Sequence, residues 1–79
     1  MPVVLRVGPY RFVVYSNEPD EPAHVHVKRD RARAKLWLAP VRYAHAKGFS
    51  DHELTKIAHI ASANETALLH AWKHRNRPD

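Results

Sequence analysis

Residues 24–38, HVHVKRDRARAKLWL, decide the fold. Val25 and Val27 point one way along an extended chain, and His24, His26 and Lys28 point the other. Asp30-Arg31 is a turn signal. From Arg33 to Leu38 the alternation resumes, with Ala34, Leu36 and Leu38 apolar and Arg33, Lys35 and Trp37 opposite. Two strands of period two, joined by a short polar turn, make a hairpin with one apolar and one basic face.

The same period extends toward the N-terminus. Val3, Leu5 and Val7 share one face of a short strand. Gly8-Pro9 punctuates, and Tyr10, Phe12 and Val14 then alternate with Arg11, Val13 and Tyr15. This predicts a second hairpin. Ser16–Pro22 (SNEPDEP) is a polar loop, because Pro19 and Pro22 remove ladder donors.

Beyond Pro40 the period changes. Val41–Lys47 reads as one or two helical turns closed by Gly48. Ser50-Asp51-His52-Glu53 is a capping box, with Asp51 suited to the positive helix N-terminus. Leu54, Ile57, Ala58 and Ala61 follow at helical spacing, and Leu68, Leu69 and Trp72 continue the stripe. One helix over residues 51–75 would be about 37 Å long. That is long for so small a domain, and Ser62–Asn64 is the natural break. Arg75–Asp79 is expected to fray.

The expected fold is therefore α+β: a single domain, 1–79, with a four-stranded antiparallel sheet covered on one face by C-terminal helices. A chain of 79 residues buries only about 60–65% of its unfolded surface, so its stability margin is narrow. Without cysteine it has no disulfide or thiolate metal site, which suits a reducing compartment. Stability must come from the core, a partner or homo-oligomerisation. Neither a signal-peptide pattern nor an apolar run of about 20 residues is visible. A soluble, cytoplasmic protein with no membrane contact is the expectation.

The face turned away from the helices collects Arg11, Tyr15, His24, His26, Lys28, Arg33, Lys35 and Trp37, with no carboxylate among them. The chain carries 13 Lys+Arg against 8 Asp+Glu, a formal charge of +5 before its 7 His are counted. Such a face suits RNA. Lys28, Arg33, Lys35 and Arg11 can neutralise phosphates, while Tyr15 and Trp37 can stack on bases. His24 and His26 can shuttle protons for 2′-hydroxyl attack, giving a metal-independent ribonuclease without a cofactor. A basic face also attracts a small acidic partner protein, and an ordinary solvated face has much the same composition. The i, i+2 pair His24/His26 could share a metal with His45 or Glu21. A structural site needs about four ligands, however, and no metal is assigned. His52, His59, His70 and His74 read as helix-surface residues. Asn64, Glu65 and Thr66 are not the cationic start of a DNA-reading helix.

The segments RVGPYRFVVYSNEPDEPAHVHV, AKLWLAPV, KGFSDHELTKI and LLHAW together resemble a family of short bacterial and archaeal proteins of unknown function. Its signature runs YSNE, EPxHxHV, GFS. The matching positions are Arg6, Gly8, Tyr10, Arg11, Tyr15, Ser16, Asn17, Glu18, Glu21, Pro22, His24, His26, Trp37, Gly48, Phe49 and Ser50. The resemblance implies a place beside a second small gene, in an arrangement like a toxin–antitoxin pair. It implies no catalytic residues. Lys28-Arg29-Asp30-Arg31 is more basic than the family leads one to expect. Two readings stay open: a toxin-like component that acts on or binds RNA, and a non-catalytic module that docks an acidic partner.

Overall fold

The computed structural model describes residues 3–15 and 21–75. Most of the expected Ser16–Pro22 loop, and the tail beyond Arg75, lie outside the described residues. So do the motif positions Ser16, Asn17 and Glu18.

Five strands form one antiparallel meander in chain order: β1 (Val3–Val7), β2 (Tyr10–Val13), β3 (His24–Arg29), β4 (Ala32–Trp37) and β5 (Arg42–Lys47). Two helices follow, α1 (Asp51–Ala63) and α2 (Glu65–Lys73). The hairpins form where the turn residues predict them. Gly8 (φ +56°) and Asp30 (φ +54°) both take the left-handed conformation that such tight reversals require.

The fifth strand corrects the sequence expectation. Val41–Lys47 by itself predicts one or two helical turns, whereas Arg42–Lys47 pairs with β4. The two alanines raise helix propensity, but six residues are too few for a stable helix alone. The outer edge of β4 offers a row of unpaired backbone groups, and satisfying them outweighs a propensity difference of tenths of a kcal/mol per residue. A register shift opposite Lys35/Leu36 leaves Ala44 as the extra residue.

Residues facing each other across an antiparallel ladder share a face. The ladder Leu5–Phe12–Val27–Ala34–Ala46 lies on the helix side, as does Val25–Leu36–Tyr43. Phe12, Val14, Val25, Val27, Leu36 and Leu38 join Ile57, Ala61, Leu68 and Trp72 in one core. Val3 departs from expectation. A register shift between Val3 and Leu5 sets Val3 opposite Val13, off the core face, and leaves it 43% exposed.

The capping box forms as its spacing predicts. Ser50 Oγ accepts from the Glu53 N–H at 3.2 Å, and Glu53 Oε2 accepts from the Ser50 N–H at 3.0 Å. The same carboxylate receives a two-pronged Arg29 contact, Nε to Oε1 at 2.9 Å and a terminal nitrogen to Oε2 at 3.2 Å. Tyr10 Oη also donates to Glu53 Oε1, at 3.3 Å. One glutamate thus starts α1 and ties it to β2 and β3. Tyr43 Oη donates to the Leu54 carbonyl at 2.6 Å, tying β5 to α1. The helical segment does break where expected: Asn64 ends α1, and its side-chain amide donates back to the Ile60 carbonyl at 2.8 Å.

Candidate nucleic-acid interface

On the face away from the helices, the strand registers produce an arrangement that no single strand reveals. Arg6 lies opposite Arg11, Arg11 opposite Lys28, Lys28 opposite Arg33, and Arg33 opposite Lys47. Each of the five strands contributes one cation to a single row across the sheet. At about 4.8 Å between neighbouring strands, the row is about 19 Å long. Arg6, Arg33 and Lys47 are exposed, and Arg11 and Lys28 are partly covered. Among the described residues, none of the five makes an ion pair. Like charges directly opposite one another destabilise a sheet, so the row costs folding free energy. It continues at the Lys47 end into an open cavity of about 510 Å³ that Arg29, Arg31 and Lys47 help to line.

The next row along the strands differs. Val13, His26, Lys35 and His45 stand in register. Glu21 reaches this row, its Oε1 lying 2.7 Å from Lys35 Nζ. The expectation of a carboxylate-free face is therefore corrected. The acid comes from the loop preceding β3, which strand periodicity does not place. Val13 is only 3% exposed, so the middle of this face is covered. The third row holds His24, Trp37 and Arg42.

His24 does not stand on an open surface, contrary to the sequence reading. It is 1% exposed, with its ring centroid 4.5 Å from that of Trp72, 5.2 Å from His26 and 5.8 Å from Trp37. Its Nδ1 lies 3.0 Å from the Pro22 carbonyl and 3.7 Å from Glu21 Oε1. Alternation puts it on the correct face, but it sits at the start of β3, where α2 brings Trp72 against it. His26 is half-buried, with its ring 4.7 Å from that of Tyr15. The two expected stacking rings are already engaged by cations: Lys28 Nζ lies 5.2 Å from the Tyr15 centroid, and Lys35 Nζ lies 4.7 Å from that of Trp37.

The structure therefore brings Arg11, Lys28 and Arg33 together and adds Arg6 and Lys47. It sets Lys35, Trp37 and His24 apart in a partly enclosed, partly neutralised cluster. Arg6 was legible in the sequence, since a hairpin turning at Gly8-Pro9 places it opposite Arg11. Lys47 is not, because Val41–Lys47 by itself has the character of a helical turn and its strand exists only through pairing with β4. No three His, Asp or Glu side chains among the described residues cluster as metal ligands would. No helix among them is long and apolar enough to cross a membrane.

Three groups on the helix side have shifted acidities. Glu53 is held below the usual carboxylate range, first by the Ser50 N–H and then by Arg29 and Tyr10, against the opposing effect of burial. Burial, with nearby Tyr10 adding to it, pushes the Tyr43 phenol up to about 12. Burial and the Glu53 charge also raise Tyr10. These are the groups that tie α1 to the sheet.

No curated protein and no solved structure matches the chain. A family model does match it, over residues 10–73, from the first residue of β2 to the last of α2. The chain belongs to the family described as Domain of unknown function (DUF4160).

Proposed function

We propose that this protein binds RNA through backbone phosphates laid across the sheet along Arg6, Arg11, Lys28, Arg33 and Lys47. The observation that carries the reading is the row itself. Five cations from five strands share one register at a cost in stability, with no anion of the described chain to compensate them. A polyphosphate supplies that anion, and its binding releases counterions.

The proposal is one of binding. Acid–base cleavage needs both imidazoles within hydrogen-bond reach of one phosphodiester, and His24 is buried behind Trp37 and Trp72. His24 serves instead to hold Trp37 and His26 in place. As the toxin-like member of a two-gene module, the protein would act by sequestering RNA. That part of the reading rests on the resemblance alone.

The test is the salt dependence of binding to a fluorescent single-stranded RNA. Five phosphate contacts predict a log–log slope of about −3.5. Lys28→Ala/Arg33→Ala should bring it to about −2.1, and the RNA should stay intact throughout. An unchanged slope in the double variant would refute the site. A slope near zero in the parent would refute RNA binding.

A further inference from the structure

The outer edge of β5 is a second feature, sharing Lys47 with the cation row. β5 is the terminal strand of the sheet, and five of its six residues are exposed, Tyr43 alone being partly covered. An edge strand presents unpaired N–H and C=O groups at regular intervals, and proteins usually blunt such edges with a bulge or a covering element. At the opposite edge, β1 carries a register shift against β2 and lies against α2. β5 likewise carries a register shift, against β4, and is tied to α1 through Tyr43, but among the described residues no strand pairs with its outer side.

We propose that the β5 edge accepts an extended acidic segment of a partner protein as a sixth strand. Charge complementarity selects the occupant. Arg42, His45 and Lys47 stand on the cationic face, opposite Trp37, Lys35 and Arg33, and all three are exposed. A strand with carboxylates on that face meets two fixed cations and an imidazole. On the helix side Tyr43 packs against the core, but Ala46 is exposed although its neighbour Ala34 is 1% exposed, so the core thins toward the Lys47 end of the edge. Apolar side chains alternating with the carboxylates would extend that core. A second copy of the chain fits poorly. Antiparallel β5–β5 pairing over all six residues sets each Arg42 against a Lys47, on chains that each carry +5. A peptide backbone also matches the alternation of donors and acceptors along the edge.

The test uses the full chain and a blocked peptide of Val-Glu repeats, beside the same peptide with alternate amides N-methylated. Methylation keeps every charge and removes the ladder donors. The unmethylated peptide should bind at least tenfold more tightly and slow amide exchange within residues 42–47. Arg42→Glu/Lys47→Glu should transfer that preference to Val-Lys repeats. Equal binding of the two peptides would reduce the effect to charge attraction and overturn the proposal. Protection confined to β1, or to the Arg6–Arg33 part of the cation row, would also overturn it. So would sedimentation showing dimers of the chain alone that Ala46→Glu dissolves.

Discussion

The most direct consequence of the cation row is that removing one of its members should make the protein more stable and a poorer RNA binder. Arg33 is the member to remove. It is exposed, stands between Lys28 and Lys47, and makes no ion pair among the described residues. Threonine suits a strand, so Arg33→Thr costs little in propensity. Each like-charge neighbour across a ladder is worth roughly 0.2–0.5 kcal/mol of repulsion. Relieving two of them should stabilise the domain by about 0.4–1 kcal/mol at low salt. For a chain of this size, that raises the melting midpoint by about 2–8 °C. The gain should fade by 1 M salt, where the screening length falls to about 3 Å. Losing one phosphate contact makes the RNA salt slope shallower by about 0.7 and weakens binding about eightfold at 50 mM salt. Thermal melts at two ionic strengths and an anisotropy titration check both halves. A loss of stability at low salt, or a gain that persists at 1 M, would refute the repulsion argument. Greater stability with undiminished RNA affinity would sink the functional reading instead.

Other expectations concern the scaffold. His24→Ala empties a fully enclosed site against Trp72 and should cost about 2–3 kcal/mol in urea denaturation, whereas a catalytic surface histidine would be removed at almost no cost. Gly48→Ala should destabilise by about 1–3 kcal/mol. Gly48 has φ +91°, and a Cβ there would lie 3.1 Å from the Cα and Cβ of Ala32. At Gly8 a Cβ meets nothing within 4 Å, so Gly8→Ala carries only the backbone cost, about 1–2 kcal/mol. Glu53 has a depressed folded-state pKa, so its contribution is present above the unfolded carboxylate value near 4.3. It is lost as pH falls through the lower folded value. Chemical denaturation between pH 6 and pH 2.5 should show Glu53→Gln lacking that component of acid sensitivity. Parallel profiles for variant and parent would dismiss it.

The sequence by itself determined what depends on neighbours along the chain. Alternation at residues 24–38 assigned Val25, Val27, Ala34 and Leu36 to the core and Lys28 and Arg33 to the far side, because side-chain direction in a strand has period two. Ser50 and Glu53 set the start of α1 through bonds that close within four residues. Whether residues 51–75 form one helix or two stayed open in the sequence; in the fold Asn64 ends α1, and its side chain bonds back to Ile60 rather than capping α2. Only the tertiary structure decided what depends on partners distant in sequence. Arg42–Lys47 is a strand because β4 has an edge to fill, and no propensity within those six residues records that edge. Glu21 neutralises Lys35 because a loop carries it there, and His24 is buried because α2 ends against it. The basic face was visible as a set of residues one strand at a time. Its organisation into a single row was not, because register joins residues from Arg6 to Lys47 that only the folded sheet brings side by side.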